Sequence, residues 1–435
     1  MDGARNLIRN IYFENYGCPS NRSDLEIMLN YLTAAGFKLI DNIGLADVVL
    51  INTCAVKKPT EDRMLSRLRY FRSLGKPVIV TGCLPKVNLQ AIRGVLGGRF
   101  VALDPRSIDK VVYAVESVYA DRETLIFSEE PPVKPALGKF RLNPIVEVVQ
   151  VAEGCAGACT YCCVRFARGR LRSFPLESIL DRIEKAVKEG VREVWLTGQD
   201  LGAYGLDLGV DLIDLLEGIK GVEGDFFVRL GMINPIWFRR LLDRLEKAIR
   251  DDERIFRFLH IPVQSGDDKV LKDMNRGYTA GEFKCVISRL REGIPRVSIS
   301  TDVICGFPSE TEEAFERTLK LIEEVKPDFL NVSKFFPRPG TPLWKEKTLP
   351  PKIVKERSKA LTELYRRLSY ERNRSWVGWE GEILVDEKGK GESWVGRNFA
   401  YKPIVVQCDG ELLGETLRVK VVDACSTYLK ARIVG

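Results

Sequence analysis

Three cysteines in the middle of the chain have a spacing typical of metal ligands. Cys155, Cys159 and Cys162 form a C-x3-C-x2-C pattern directly after a predicted strand. Thiolates suit zinc and iron–sulfur clusters. A closed zinc site needs a fourth ligand, and Cys163 is adjacent, but neighbouring residues in a loop rarely both point inward, so its role stays open. Three cysteines fit a [4Fe–4S] cluster with one open iron, which can bind the amino and carboxylate groups of a methionine-type cofactor.

Three further cysteines lie in the first part of the chain. Cys18, Cys54 and Cys83 each follow a predicted strand, within the sequences NYGC, INTC and VTGC. Binding sites of open parallel sheets form where the strands end, so we expect these cysteines to converge in space. The alternative is three buried core thiols, because free cysteine is often buried. Core thiols are also the interpretation for Cys285, Cys305, Cys408 and Cys425.

The composition excludes several kinds of site. His260 is the only histidine among 435 residues, which excludes His-rich zinc sites and carboxylate–histidine iron centres. A serine–histidine–acid triad would have to use this one residue. Eleven cysteines in a chain without a signal-peptide pattern indicate metal or redox chemistry in the cytoplasm rather than disulfides. The apolar runs are strand-sized, so we expect no membrane span.

The first part of the chain, residues 1–130, is predicted to be a parallel βα domain that positions the three early cysteines. The predicted strands cover residues 11–15, 46–52 and 77–82, and the predicted helices cover 23–37 and 61–75. This βαβαβ pattern implies parallel strands with right-handed crossovers. A proline-rich stretch, residues 129–144, is predicted to be an interdomain linker.

The second part, residues 145–365, has six predicted strands with helical runs between them. These strands cover residues 145–152, 192–198, 226–232, 257–263, 296–304 and 328–336. Six units predict a partial (β/α) barrel, since a complete barrel of the familiar kind needs eight. Polar residues and glycines gather at the strand ends, in TGQD (197–200) and TDVICGFPSET (301–311), the face that carries chemistry in such folds. The third part, residues 372–435, is predicted to be a small all-β barrel.

Basic residues are concentrated at two places. Arginines follow the C-x3-C-x2-C pattern at Arg165, Arg168, Arg170 and Arg172. The third part carries a second set, expected to form a scattered positive surface, namely Arg372, Arg374, Lys388, Lys390, Arg397, Lys402, Arg418, Lys420, Lys430 and Arg432. The net charge of +7 permits a nucleic-acid partner but does not establish one.

The motifs resemble those of the radical S-adenosylmethionine (SAM) methylthiotransferase family over essentially the whole chain. The C-x3-C-x2-C pattern with Tyr161 before its last cysteine is similar to the radical SAM signature. The three early cysteines resemble the N-terminal domain of this family, and the third part resembles its TRAM domain. CTYCCVRFARGRLRSFP and WLTGQDLGAYGLD are most similar to the archaeal and eukaryotic branch that acts on N6-threonylcarbamoyladenosine in tRNA.

The resemblance implies a role for each motif. The C-x3-C-x2-C cysteines would hold the radical [4Fe–4S] cluster, and the three early cysteines would hold an auxiliary [4Fe–4S] cluster. The residues implied to contact SAM are Tyr161, Gly198, Gln199, Asp200, Asp302 and Gly306. The arginines after the motif would lie at the mouth of the site, where a guanidinium can pair with a phosphate or with the carboxylate of the threonylcarbamoyl group. The alternative is that these arginines only hold the cluster loop in place.

The implied reaction is methylthiolation of C2 of N6-threonylcarbamoyladenosine next to the tRNA anticodon. One SAM molecule would donate the methyl group and a second would be the radical source, because acid–base catalysis cannot break an unactivated C–H bond. The implied partners are tRNA, a reducing electron donor and a sulfur donor. Two alternatives stay open. One is a methylthiotransferase for another tRNA base or a ribosomal-protein side chain, and the other is an RNA-binding iron–sulfur protein that senses redox state without turnover.

Overall fold

The computed structural model describes residues 9–120 and 122–434 of the chain. These residues form an open parallel sheet, a partial barrel of parallel strands and a small closed β-barrel, in chain order. The predicted fold class is therefore confirmed. Among the described helices, none combines the length and the apolar character that crossing a membrane requires.

The first part is a six-stranded parallel sheet. Its strands are β1 (Asn10–Asn15), β2 (Lys38–Ile40), β3 (Val48–Thr53), β4 (Val78–Gly82), β5 (Val101–Leu103) and β6 (Thr124–Ile126). Its helices are α1 (Pro19–Ala34), α2 (Lys58–Ser73), α3 (Leu84–Val87), α4 (Leu89–Leu96) and α5 (Val111–Ser117). The strand order is β2-β1-β3-β4-β5-β6, so the chain reverses direction across the sheet between β1 and β3. Ligands of open α/β sheets bind at such a reversal.

Helix α1 starts directly after the first cysteine. Cys18 is its N-cap residue and Pro19 lies in its first turn, where the missing N–H of proline leaves no hydrogen bond unmade. Leu25, Met28 and Leu29 are fully buried, as the predicted helical period requires. The helix begins earlier than predicted, and this start holds Cys18 at the edge of the sheet.

The second part has six parallel strands that form two three-stranded sheets, and a separate pair of short strands. The six are β7 (Val146–Gln150), β10 (Glu193–Thr197), β11 (Phe227–Leu230), β12 (Phe258–His260), β13 (Ser298–Cys305) and β14 (Phe329–Lys334), and the short pair is β8 (Ala152–Glu153) and β9 (Arg172–Ser173). Bridges from Val228 to Ile255 and from Met232 to His260 connect β11 to the β12 segment and join the two sheets. The short antiparallel pair of β8 and β9 closes the base of the loop that carries the C-x3-C-x2-C pattern.

Helices cover the outside of this partial barrel. They are α6 (Val164–Arg168), α7 (Leu176–Lys188), α8 (Leu212–Lys220), α9 (Phe238–Asp251), α10 (Asp268–Asp273), α11 (Ala280–Gly293), α12 (Glu312–Val325) and α13 (Pro351–Arg374). The third part is a closed barrel in the order β15-β16-β17-β19-β18, and its strands are β15 (Glu380–Lys388), β16 (Ser393–Arg397), β17 (Pro403–Gln407), β18 (Thr416–Ala424) and β19 (Leu429–Ile433).

Buried ion pairs fasten the third part to the second. Asp328, which precedes β14, accepts hydrogen bonds from Lys402 Nζ at 2.8 Å and from Arg372 Nε at 3.0 Å. Lys402 is only 1% exposed. Arg397 Nε donates to Asp386 Oδ2 at 3.0 Å, and Asp386 is also buried. The expected scattered positive surface is therefore corrected at Lys402, Arg372 and Arg397, because these cations pair with carboxylates inside the protein or at the contact between its parts.

The proline-rich segment between the first two parts is held tightly. Lys134 is buried, and its ammonium group contacts Asp24 of α1 at 2.6 Å and also Glu153 of β8. Further along the segment, the N–H of Phe140 donates to the carbonyl oxygen of Glu26 at 2.9 Å. The segment thus connects α1 to the base of the cysteine loop.

Candidate functional site

Cys18, Cys54 and Cys83, here called the N-terminal cysteine group, lie at the carboxyl ends of three neighbouring strands. They follow β1, β3 and β4, which are adjacent in the sheet. Gly17 and Gly82 have positive φ angles of 117° and 88°. A Cβ at Gly17 would lie 3.2 Å from Cys54 Cβ, and one at Gly82 would lie 2.3 Å from a carbonyl oxygen of β3. Glycine permits this close approach of the strand ends.

Asn21 connects these strand ends. Its Nδ2 donates to the carbonyl oxygens of Tyr16 at 2.9 Å and Thr53 at 2.7 Å. Its Oδ1 lies 3.9 Å from Cys18 Sγ and 3.7 Å from Cys83 Sγ. The two sulfur atoms therefore face one shared point, and the structure brings the N-terminal cysteine group together. Sequence reasoning missed Asn21, although it lies three residues after Cys18 in a C-P-S-N stretch.

Cys155, Cys159 and Cys162, here called the loop cysteine group, lie on the loop that β8 and β9 close. The N–H of Gly157 donates to Cys155 Sγ at 3.3 Å, and a Cβ at Gly157 would lie 4.0 Å from Cys159 Sγ. The N–H of Cys162 donates to the carbonyl oxygen of Cys159 at 3.1 Å. The tight turn keeps the three thiols within electrostatic range of one another.

A buried arginine that the sequence did not single out contacts the loop cysteine group. Arg276 Nη1 donates to Cys159 Sγ at 3.1 Å, and its Nε donates to Tyr278 Oη at 2.9 Å. Its Nη2 donates to the carbonyl oxygen of Pro262 at 3.2 Å. A fixed positive charge beside a thiolate favours the ionised sulfur. The sequence signal is only an Arg–Gly pair after α10, which is common in turns.

The chemistry of both groups fits iron–sulfur clusters. Burial raises the pKa of Cys83 to about 12 and the pKa of Cys155 to about 11, so ionisation needs a bound cation whose charge replaces the proton. Within residues 9–120 and 122–434, no His, Cys, Asp and Glu side chains are grouped closely enough to hold a single ion. A [4Fe–4S] cluster binds its thiolates through different irons and accepts a wider spacing than a single tetrahedral ion does.

A cavity of about 600 Å³ lies between the first and second parts of the chain. Val56 and Lys57, from the loop after β3, border it on one side. Tyr161 and Cys162, from the cysteine loop, border it on another. The ends of β12, β13 and β14 and the loop after β14 form the remaining wall. The cavity thus adjoins the loop cysteine group and the segment that carries Cys54.

One wall of the cavity holds an oriented carboxylate. His260 Nε2 lies 2.9 Å from Asp302 Oδ2, and Asn331 Nδ2 donates to Asp302 Oδ1 at 2.7 Å. Burial alone would raise the pKa of Asp302, but the contacts with His260 and Asn331 and the charge of Lys57 hold it below its ordinary value. The cavity therefore presents a negative charge that suits an ammonium or hydroxyl group of a ligand.

The residues implied to contact SAM do not all line this cavity. Tyr161 and Asp302 line it. Asp200 is buried, and its Oδ2 accepts from Trp237 Nε1 at 2.6 Å while its Oδ1 accepts from the N–H of Asn234 at 3.1 Å. Burial raises the pKa of Asp200 despite these donors. Its contact with SAM stays a prediction, and the structure shows that it also anchors the segment after β11.

The other three predicted positions differ in their surroundings. A Cβ at Gly198 would meet no atom closer than 3.9 Å, so packing does not require glycine there. Gln199 has a buried Oε1 without a hydrogen-bond partner among the described residues, which fits a ligand donor. Gly306 has a φ of 80°, and a Cβ there would lie 2.5 Å from Val354 of α13. Packing against α13 by itself explains Gly306.

Arg168 lies inside the protein instead of at the mouth of the site. It is 1% exposed, and its Nη1 donates to Glu153 Oε1 at 2.8 Å. Its Nη2 donates to Asn21 Oδ1 and Asp24 Oδ2, both at 2.7 Å. The expectation that Arg168 contacts a substrate carboxylate is therefore corrected, because its guanidinium already pairs with two buried acids and with the amide that faces Cys18 and Cys83.

The other three arginines after the motif lie nearer the surface. Arg172 Nη1 pairs with Glu130 at 3.0 Å, with side chains 40% and 80% exposed. Arg165 is half-buried and Arg170 is exposed. In the part of the chain that the structure describes, neither of these two side chains has a hydrogen-bonding or ionic partner. Substrate contact stays a prediction for these three arginines.

The remaining cysteines have varied surroundings. Cys163 is buried, and its Sγ donates to the carbonyl oxygen of Ala55 at 3.3 Å, so it joins the cysteine loop to the segment after Cys54. Cys305 is buried, as a core thiol should be. Cys285 is exposed on α11, so the core interpretation is wrong for it. Cys408 and Cys425 are half-buried.

Profiles of three protein families match successive parts of the chain. The Uncharacterized protein family UPF0004 matches residues 10–97, the Radical SAM superfamily matches residues 149–322, and the TRAM domain matches residues 374–434. The two cysteine groups fall in the first two matches. The closed β-barrel falls in the third.

Curated proteins similar to this chain align along nearly all of it. A probable threonylcarbamoyladenosine tRNA methylthiotransferase of Pyrococcus abyssi is 42% identical and aligns over 98% of this chain and 99% of its own length. One from Methanothermobacter thermautotrophicus is 39% identical over 99% of this chain and 100% of its own length. The threonylcarbamoyladenosine tRNA methylthiotransferase of Homo sapiens is 35% identical over 98% of this chain and 74% of its own length.

Among solved structures, the radical S-adenosylmethionine methyltransferase TsrM from Kitasatospora setae has a similar fold. With tryptophan and a SAM analogue bound, it superposes with a TM-score of 0.57 at 14% identity, covering 78% of this chain and 75% of its own. The same enzyme with cobalamin and a [4Fe–4S] cluster gives 0.56 at 13% identity, covering 78% of each chain. At this identity the likeness shows a shared fold.

Proposed function

Because this chain belongs to the threonylcarbamoyladenosine tRNA methylthiotransferase family, we propose that it transfers a methylthio group to C2 of N6-threonylcarbamoyladenosine beside the anticodon of tRNA. The resemblance noted from the sequence is thus confirmed. The observation that carries the proposal is the pair of cysteine groups, one at the sheet edge and one on the barrel loop, together with a single cavity that Cys162 and the segment after Cys54 both border.

The proposal gives each cysteine group one cofactor. The loop cysteine group would hold the [4Fe–4S] cluster next to SAM, and the N-terminal cysteine group would hold the auxiliary [4Fe–4S] cluster. Bound there, the clusters and SAM supply the electron, the radical, the sulfur and the methyl group that side chains cannot provide. Tyr161, Gly198, Gln199 and Asp302 are the proposed SAM contacts that the surroundings support best, and Asp200 and Gly306 would act through the backbone that they position.

The residues of the chain provide position and charge. Asp302, held by His260 and Asn331, presents a carboxylate in the cavity. Arg276 and Arg168 bring fixed positive charge to the two cysteine groups, Arg276 by direct contact and Arg168 through an intervening amide. The cavity is lined by both parts of the chain, so residues of both can position a ligand bound in it.

The proposed partners follow from the reaction. A tRNA supplies the substrate base, and Arg165, Arg170 and Arg172 together with the closed β-barrel would contact its backbone. A reducing electron donor is needed because SAM cleavage consumes an electron, and a sulfur donor is needed because each turnover consumes one sulfur atom. The proposed location is the cytoplasm, where these partners meet.

Nucleoside mass spectrometry tests the proposed function. Reconstituted protein is incubated anaerobically with SAM, reductant, a sulfide source and tRNA that carries or lacks the threonylcarbamoyl group. We expect 2-methylthio-N6-threonylcarbamoyladenosine from the modified tRNA, and no product from protein with alanine at Cys155, Cys159 and Cys162. Equal product from both tRNAs would refute selection of the modified base. SAM cleavage without any methylthio nucleoside would favour another substrate, and absence of SAM cleavage would favour a redox sensor.

A further inference from the structure

We propose that the rim of the cavity binds unpaired RNA nucleotides on either side of the reacting base, with Phe336 and Phe166 as stacking surfaces for the flanking bases. This inference rests on the proposed function and adds an RNA-binding surface outside the cofactor contacts named there. It follows from two exposed phenylalanines beside the cavity and from two lysines of the cavity wall that form no described salt bridge.

Phe336 is an exposed ring on the wall of the cavity. It lines the cavity and is 36% exposed, whereas its neighbour Phe335 is 6% exposed. The ring of Phe335 packs edge-on against Phe307 with centroids 5.4 Å apart. Phe335 also borders the cavity but is buried and anchors the segment, whereas Phe336 stays exposed.

Phe166 is a second exposed ring, on the segment that follows the cavity residues Cys162 and Cys163. It lies on α6, three residues after Cys163, which lines the cavity, and it is 45% exposed. A Cβ at Gly340 would lie 3.5 Å from this ring. Gly340 follows Arg338, another residue of the cavity wall. The ring therefore lies where the cysteine loop meets the loop after β14, and its exposed part faces away from the core.

The charge of the cavity wall indicates an anionic partner for these rings. Lys57 and Lys334 line the cavity and are exposed. Within the described residues, neither ammonium group forms a hydrogen bond or a salt bridge, although the charge of Lys57 acts on Asp302 across the cavity wall. Aromatic rings beside unpaired cations form the combination that binds single-stranded nucleic acid, since bases stack on the rings while cations pair with phosphate. An exposed apolar protein segment would use the rings but leave the lysines unpaired.

The reaction itself creates a need for such a rim. The reacting adenine must leave its stack to reach a cavity that adjoins the loop cysteine group, and its two neighbours then lose a stacking partner. Rings at the edge of the cavity replace that partner. The anion bound by Lys57 and Lys334 has two sources, the RNA phosphate or the carboxylate of the threonylcarbamoyl group.

A double-mutant cycle tests the rim. Binding of an anticodon stem-loop RNA is measured by fluorescence anisotropy for wild type, F336A and F166A, using RNA with the normal base or an abasic nucleotide at each flanking position. We expect each alanine variant to bind the normal RNA roughly 5- to 100-fold more weakly. The abasic nucleotide should weaken binding by wild type and cause little further loss in the variant that lacks the matching ring.

Matched variants separate stacking from a general loss of structure. Tyr113 is 57% exposed on α5 and does not line the cavity, so Y113A should bind RNA like wild type. F336L keeps an apolar side chain without a ring and should still bind more weakly. Variants K57Q and K334Q are compared on RNA with and without the threonylcarbamoyl group. If these variants bind only the modified RNA more weakly, the lysines pair with the threonylcarbamoyl carboxylate. If they bind both RNAs more weakly by the same factor, the lysines pair with RNA phosphate.

The outcomes distinguish the rim from the proposed function. If F336A and F166A bind RNA and methylthiolate it like wild type, the proposal that these rings stack on flanking bases is wrong, and the proposed function is unaffected. Additive losses from the alanine and abasic changes would also overturn it, since the ring and the base would then act independently. Absence of RNA binding and of methylthiolation in wild type would overturn both.

Discussion

Two buried arginines have equivalent positions beside the two cysteine groups. Arg276 contacts Cys159 directly, and Arg168 contacts Asn21, whose Oδ1 faces Cys18 and Cys83. Burial alone would lower the pKa of each guanidinium, but Asp24 and Glu153 raise the pKa of Arg168, and Tyr161, Tyr278 and Cys159 raise the pKa of Arg276, well above the ordinary value. Each arginine therefore stays charged and places a fixed positive charge beside its cysteine group.

The number of irons bound per chain should show whether each cysteine group holds its own cluster. Anaerobic reconstitution should yield about eight irons per chain, and alanine at all three cysteines of either group should leave about four. Loss of the loop cysteine group should also abolish SAM cleavage, whereas loss of the N-terminal cysteine group should preserve it. C285A, which alters an exposed thiol on α11, is the control and should keep about eight irons. Loss of SAM cleavage in the N-terminal variant would contradict this division of roles.

Arg168 and Arg172 should differ strongly in their effect on stability. R168Q leaves the buried acids Asp24 and Glu153 with less positive charge and should lower the free energy of unfolding by about 3–5 kcal/mol. R172Q removes an exposed ion pair with Glu130 and should cost less than about 1 kcal/mol. Urea unfolding of both variants measures the difference. A stable R168Q protein with full iron content that fails only to distinguish modified from unmodified tRNA would restore its role in substrate recognition.

At the scale of elements, β10 and the closed barrel share a pair of buried acids. Glu193 starts β10 and accepts from Trp195 Nε1 at 2.5 Å, and Asp386 lies on β15. Burial, followed by the charge of Asp386, raises the pKa of Glu193 to about 7, against an ordinary value of 4.5. Burial raises the pKa of Asp386 as well. Packing of β15 against β10 thus favours the protonated form of Glu193.

Stability should fall as the pH rises through this range. The folded chain holds the Glu193 proton more tightly than the unfolded chain, so the stabilisation is complete below about pH 4.5 and is lost as the pH rises through about 7. The loss should be on the order of 3 kcal/mol. Urea unfolding from pH 5 to 8 should show this slope in wild type and a flatter one in E193Q. Identical slopes would contradict a raised pKa at Glu193.

At the scale of the whole molecule, the closed barrel combines fixed attachment with a free cationic face. Lys402, just before β17, attaches it to Asp328, which also pairs with Arg372 of α13. Lys420 of β18 and Arg432 of β19 are directly opposite in the strand register. Like charges in this arrangement destabilise a sheet, and neither side chain has a described hydrogen-bonding or ionic partner. A phosphate backbone would compensate both charges. Removal of the barrel would take Lys402 away from the buried Asp328 and leave it with Arg372 of α13 alone, so point variants test this face better than truncation.

The salt dependence of tRNA binding should show whether Lys420 and Arg432 of the barrel contact phosphate. K420Q and R432Q together should make the slope of log K against log salt shallower by roughly 1.5–2, because each lost phosphate contact releases about one counterion fewer. SAM cleavage without RNA should be unchanged. The control K188Q alters a lysine on α7 that pairs with Glu184 and is 73% exposed, and it should leave the slope unchanged. An unchanged slope in the double variant would show that the barrel is structural.

Residue spacing and strand order were enough to predict the two cysteine groups and the order of the three parts. The loop cysteine group follows from local spacing, and the N-terminal cysteine group follows from a general rule, since parallel strands end at one edge of their sheet. Long strands and helices were evident because their apolar period repeats. The strands β2, β5 and β6 were missed because three residues are too few to show a period.

Which charged residues are buried depends on contacts between distant segments and could not be predicted from local sequence. Arg168 has an ordinary basic neighbourhood in the sequence, yet Asp24 and Asn21, more than 140 positions away, place it inside. Lys402 likewise depends on Asp328. A charge is buried only where a partner compensates its lost hydration, and such a partner is brought close by folding and not by proximity in the chain. The exposed rings of Phe166 and Phe336 became recognisable for the same reason, because exposure depends on every segment that could have covered them.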